Sequence, residues 1–209
     1  MSHYNQLKEF LDEELEYHFI IPTFRLLNIL LEKKLIEDDD LSLENTIVTS
    51  SSGISITVIF RNKDKVYQLF SAKSVYERIK KFCEAMTPHY GINDYTKYIV
   101  KHREFFDEIY GISFDKIEPI NNFTFDPQKM KKHVQSRRNM IEQDISKALS
   151  FFHEYMNASH GDCRIDNIGY NWNTGTYVLF DYDKSILDSD LASKTKDLTT
   201  FQDSLKLYS

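Results

Sequence analysis

At 209 residues, with 41% hydrophobic and 28% charged side chains, the chain suits one domain or two small lobes around a real core and is a poor candidate for wholesale disorder. A formal net charge of −6 lacks the electrostatic footprint of a nucleic-acid or anionic-membrane binder. The two cysteines, Cys83 and Cys163, make neither a CxxC pair nor a disulfide framework, which points to a reducing compartment.

The polar, acidic start MSHYNQLKEFLDEELE reads as no signal peptide. Residues 3–36 read as two helices: Leu7, Phe10, Leu11 and Leu15 recur at helical spacing, then Phe24, Leu27, Leu30, Leu31 and Leu35 form a second stripe. Pro22 suits the first turn of that second helix. Pro22 and Arg25 interrupt the apolar run from 18 to 31, which is too short for a membrane span. A cytoplasmic location is therefore expected. The acidic run 37–40 reads as a solvated linker. Beyond it, the β-branched runs 46–49 and 55–60 and the return run 66–72 around the polar turn 61–65 predict strands and a hairpin. Ser74 is placed to cap a helix over about 75–87. A helix near 95–109 and strands around 112–120 and 123–125 follow, then Asp126-Pro127 as an N-cap with proline at N1. Met140, Ile141, Ile145, Ala148, Leu149 and Phe152 mark a long helix running up to His160. Residues 168–170 and 177–180 flank a turn at 171–175, a second hairpin, and 191–208 reads as one helix.

The chemistry concentrates in His160-Gly161-Asp162-Cys163-Arg164-Ile165-Asp166-Asn167 and, after the hairpin, Asp181-Tyr182-Asp183. Phosphoryl transfer needs a carboxylate to orient and deprotonate the attacking hydroxyl, oxygen ligands for Mg²⁺, and cations to offset charge on the transferring group. A helix, a loop and a tight hairpin whose ends lie 14 residues apart supply Asp162, Asn167 and Asp181 together. Other motifs fail: residues 181–192 lack the turn glycine and final glutamate of an EF-hand, 153–157 lacks the second histidine of a zinc protease helix, and no Walker A sequence occurs.

Residues 160–167 resemble H-x-D-x-[KR]-x-x-N, the catalytic loop of the protein-kinase-like superfamily. The Gly161 version, with Asp181-Tyr182-Asp183 behind it, is most similar to the aminoglycoside phosphotransferase and choline kinase branch. The resemblance covers 141–184 strongly and the remainder weakly. It implies an α+β, two-lobed protein-kinase-like fold with an N-terminal helical extension (1–40), a small nucleotide-covering lobe (41–125) and a reduced catalytic lobe (126–209). It also implies ATP and Mg²⁺ as cofactors, Asp162 as catalytic base, Arg164 near the γ-phosphate, and Asn167 and Asp181 on the metal. His160 would support the loop, and Asp183 would be a further carboxylate near the metal. In the nucleotide-covering lobe, Gly53 stands in a hairpin turn where a glycine-rich loop belongs, Lys73 ends a Phe70-Ser71-Ala72-Lys73 version of the strand lysine motif, and Glu84, with Glu77 as the alternative, stands for its helix partner. Residues 184–209 hold no Ala-Pro-Glu segment, which is similar to minimal effector kinases of bacteria. The expected function is transfer of the ATP γ-phosphate to a hydroxyl of a protein or a small molecule. The alternative is an inactive or weak pseudokinase that binds a protein partner through the N-terminal helices.

Overall fold

The computed structural model describes residues 2–51, 53–120 and 127–208. They form a mixed α/β structure of antiparallel sheets and helices that divides into two compact units, Met1–Lys80 with His102–Lys116, and Lys81–Lys101 with Ile117–Ser209. Among the described residues no helix is long and apolar enough to cross a membrane.

The first unit opens with α1 (His3–Glu14) and α2 (Tyr17–Glu32). Ser2 caps α1 by accepting a hydrogen bond from the Asn5 N–H. Pro22 lies inside α2, because the helix begins five residues earlier than the proline suggests. Five strands follow: β1 (Thr46–Ser51), β2 (Ser55–Phe60), β3 (Lys65–Phe70), β4 (His102–Phe106) and β5 (Gly111–Asp115). They pair antiparallel in the order β1-β2-β3-β5-β4. Ile56, Val58 and Phe60 alternate inward along β2, as a half-buried strand requires. They share one core with Leu7, Leu11, Phe19, Leu26, Leu27 and Leu30 of the two helices. The N-terminal helices are thus a layer over the sheet rather than an extension ending at residue 40.

Two further expectations are corrected here. The acidic run is no free linker: it makes a 3-10 turn (Asp38–Leu41), within which Asp40 is buried, accepts from the Glu37 N–H and pairs with Lys63. The helix expected near 95–109 is instead a 3-10 turn (Asp94–Tyr98) followed by edge strand β4, whose register shifts between His102 and Glu104.

The division between units falls within α3 (Lys73–Met86). The second unit is built on α4 (Pro127–Ser150), which continues into a π-helical turn (Phe151–Tyr155). Ile141, Ile145, Ala148, Leu149, Phe151 and Phe152 are all fully buried, while Met140 at the stripe's edge is only partly so. A three-stranded antiparallel sheet of β6 (Glu118–Pro119), β7 (Ile168–Asn171) and β8 (Thr176–Leu179) packs against this helix. Asp144 on α4 accepts from the Tyr177 N–H and ties the helix to β8. α5 (Leu191–Lys206) closes the unit, its start capped by Asp190. The strand expected at 123–125 and the cap at Asp126 lie outside the described residues.

Candidate active site

The loop that carries the chemistry leaves the long helix at a left-handed residue, Asn157 (φ 51), where the Ala158 N–H reaches back to the Phe152 carbonyl. That is the hydrogen-bonding pattern of a helix stop. Ser159 then pairs with Ile186 through two backbone hydrogen bonds of 2.9 and 3.0 Å. Next to that pair, Ser185 Oγ donates to the His160 carbonyl at 3.0 Å. Gly161 sits at φ +81, and a Cβ there would lie 2.1 Å from the Lys184 carbonyl oxygen. Only glycine satisfies both demands. The close approach locks residues 159–161 to 184–186.

His160 is wholly buried. Its Nε2 is 3.0 Å from the Phe180 carbonyl oxygen, which can only accept, so Nε2 carries the proton. Burial lowers its pKa and keeps the ring neutral. This is the supporting role expected of it. Beneath the loop, Asp197 of α5 accepts from the backbone N–H of His160 (2.8 Å, Oδ2) and of Gly161 (2.8 Å, Oδ1), and Oδ2 also lies 3.0 Å from His153 Nε2. Ser204, further along α5, accepts from the Ile165 N–H at 3.2 Å. The last helix therefore buttresses the loop through Asp197 and Ser204, while Phe201 and Leu205 are buried on the same helix. Leu198, although it stands at helical spacing with Phe201 and Leu205, is 44% exposed.

On this platform Asp162, Asn167 and Asp181 come together. Asn167 Nδ2 donates to the Asp162 carbonyl at 2.9 Å, and the Asn167 carbonyl accepts from the Phe180 N–H at 3.1 Å, which sets Asp181 beside the loop. Asp181 adopts a left-handed backbone (φ 66), a conformation that aspartate tolerates better than most side chains. Burial and the nearby carboxylates of Asp183 and Asp162 push its carboxyl up to about 6. Asp183 has a buried Oδ1 without a hydrogen-bond partner. Crowded carboxylates and an orphaned oxygen are the donor set a hard cation takes, so these residues fit Mg²⁺. Among the described residues no three His, Cys, Asp or Glu side chains form a cage of their own. Mg²⁺ needs none where substrate phosphates and water complete its shell.

Asp162 is only 8% exposed, yet both its oxygens are engaged. Arg164 donates to it through Nε (2.7 Å to Oδ1) and Nη2 (3.1 Å to Oδ2), and Lys184 Nζ donates to Oδ2 at 2.7 Å. Burial alone would raise the Asp162 pKa, but the Lys184 and Arg164 hydrogen bonds outweigh it and hold the carboxyl below its usual range. Lys184 matches no position of the catalytic-loop motif, and its one signal in the sequence is its place directly after Asp181-Tyr182-Asp183. Cys163 is buried and desolvation pushes its thiol well above the usual range, so it is inert.

Of the nucleotide-lobe candidates, Lys73 meets the alternative partner Glu77 and not Glu84. Lys73 is the first residue of α3 rather than the end of β3, and its exposed ammonium pairs with Glu77 at 3.4 Å. Glu84 is exposed on the same helix 11 residues on, a rise of roughly 16 Å at 1.5 Å per residue, so Lys73 and Glu84 make no pair. Gly53 (φ +68) lies in the turn between β1 and β2, where its left-handed backbone is what the turn itself requires. No protein-family model matches the chain, and no curated protein matches it.

Proposed function

We propose that the second unit carries a kinase-like phosphotransferase site. The observation that carries this reading is the convergence of Asp162, Asn167 and Asp181 on a platform fastened by Asp197, with a surplus of carboxylate that calls for a cation. When bound, MgATP supplies the transferable γ-phosphate. Asp162 orients the acceptor hydroxyl and takes its proton. Asn167 and Asp181 hold Mg²⁺, with Asp183 beside them. Arg164 offsets charge at the transferring phosphate. A first hairpin, a return strand and a helix follow one another in the first unit in the order that a nucleotide-covering lobe uses, which supports the two-lobed reading.

A second reading, a pseudokinase acting as a partner-binding module, is favoured by one observation. Lys73, the candidate for the nucleotide-binding lysine, stands at a helix start instead of on a strand, and its pair with Glu77 is exposed. Mg²⁺-dependent ATP binding and ATP turnover on the purified chain separate the two readings. For the kinase, Asp162→Ala lowers turnover about 100-fold or more, the usual share of a general base, and leaves ATP affinity within a few-fold. Asp181→Asn removes the Mg²⁺ dependence of binding. A chain without turnover, whether or not it binds MgATP, is no kinase and leaves the pseudokinase reading.

A further inference from the structure

Lys184 is mounted unlike an ordinary surface lysine. Its backbone is fixed on three sides: the Gly161 backbone presses on its carbonyl, Ser185 bonds to His160, and Ile186 pairs with Ser159. Its side chain is 55% exposed, and its ammonium makes one contact in the ion pair, to Asp162 Oδ2. A rigid mount with a long flexible stem confines the ammonium to a short arc above the loop.

Asp162 does not need this lysine for neutrality. Arg164 already grips both carboxylate oxygens in a fork, a geometry that costs two hydrogen bonds to leave. Lys184 is a point charge held at one oxygen and is the easier of the two to move. With three hydrogen bonds on its two oxygens, Asp162 keeps only one of about four acceptor sites for the proton of an acceptor, and release of Lys184 opens a second on Oδ2. Meanwhile the carboxylates of Asp162, Asp181 and Asp183 outnumber the cations Arg164 and Lys184, and any polyphosphate adds more negative charge. Lys184, half-exposed and held to Asp162 by a single hydrogen bond, is the cation of this site more easily released to a polyphosphate.

On the phosphotransferase reading of this site, we propose that Lys184 is a phosphate-binding residue that selects nucleoside triphosphate over diphosphate: its ammonium exchanges Asp162 for the terminal phosphate and, in leaving, frees Asp162 to act as base. No bond is made or broken in this exchange. One ion pair replaces another, and the proton on Lys184 stays where it is.

Equilibrium binding of a non-hydrolysable ATP analogue and of ADP, each with Mg²⁺, tests this on the full chain. Lys184→Met keeps the length of the stem and removes the charge. It is expected to weaken the triphosphate analogue about tenfold or more, the scale of one lost charge-assisted hydrogen bond, and to leave ADP within about twofold. Lys184→Arg restores most of the preference. Equal losses for both nucleotides, or no loss for either, overturn the assignment of Lys184 while leaving the phosphotransferase site standing. A wild-type chain that binds neither nucleotide overturns both. A thermal melt unchanged in Lys184→Met confirms that the difference is one of binding, as expected for a half-exposed side chain.

Discussion

His160 illustrates how a single side chain can hold a site without touching a substrate. Its Nε2–H spans from the loop to the Phe180 carbonyl, next to the left-handed Asp181, and keeps the two segments in register. Burial lowers its pKa below the 6.5 of an exposed imidazole, so the unfolded chain binds a proton that the folded chain refuses. Stability from this group is therefore fully present above about 6.5 and is lost as pH falls below that value toward the depressed folded pKa. His102 and His133 are lowered too, mainly by burial, and share the slope. Chemical denaturation from pH 7.5 down to 5 should show the wild-type chain losing stability. His160→Gln, which keeps an Nε2 donor but cannot titrate, should show a shallower loss. Identical slopes would remove His160 from the account. Not every role at this scale was legible in advance. Asp162, Asn167 and Asp181 stand in a contiguous motif, whereas the role of Lys184 depends on a left-handed turn and on the packing of Gly161, neither of which leaves a pattern in the sequence.

At the scale of elements, α5 sorts its residues by what they touch, and neighbours differ sharply. Asp197 is 1% exposed and accepts from two backbone N–H groups that have no other described acceptor. Its replacement by alanine leaves both donors buried and unpaired, which should cost about 3 kcal/mol, near what two orphaned buried groups imply. Leu198, one position on, is largely exposed, and Leu198→Ala should change stability by less than about 0.5 kcal/mol. Urea unfolding with an unchanged slope against denaturant measures both. Similar losses in the two variants would mean that α5 buttresses the loop by apolar packing alone. The helix itself was readable from its periodicity, and so were α1 to α4 and the two hairpins. β4 was not. It is short, lies at a sheet edge, and carries a register shift that breaks the period of two by which strands are recognised. Spacing alone would bury Leu198, which lies at i, i+3 and i+7 with Phe201 and Leu205, yet the buried face of α5 runs through Asp197, Phe201, Ser204 and Leu205.

Across the whole molecule, the N-terminal helices and the sheet stand or fall together. Leu7, Leu11, Phe19, Leu26, Leu27 and Leu30 are each at most 1% exposed within the core that also holds Ile56, Val58 and Leu69. At about 1.5–3 kcal/mol for each large side chain, their joint removal costs as much as a typical domain's whole stability of roughly 5–15 kcal/mol. A chain lacking residues 1–36 should therefore lose the fixed environment of the first unit, seen as lost near-ultraviolet circular dichroism and rapid proteolysis between 46 and 70. A cooperative transition surviving that deletion would return these helices to the status of a detachable partner-binding arm. The sequence showed both helices but could not show what they cover, because a leucine stripe looks the same whether it meets a sheet or a second protein.

The division of the chain has a consequence for how it can be cut. The first unit takes residues from two stretches and the second unit from two others, so the backbone passes between them three times. Residues from the shorter stretch of the second unit are not ornaments: the Val100 N–H donates to the Leu179 carbonyl, Ile99 bridges Leu179, and the Val100 carbonyl accepts from the Tyr182 hydroxyl at 2.6 Å, all directly beside Asp181. A gene fragment starting at residue 117 would inherit the loop, the hairpin and α5, but not the strip of backbone that steadies the residue after the metal-binding candidate. A single breakpoint therefore carries the site whole only by taking 102–116 of the first unit with it, and moving the second unit alone requires 81–101 to be joined to 117–209.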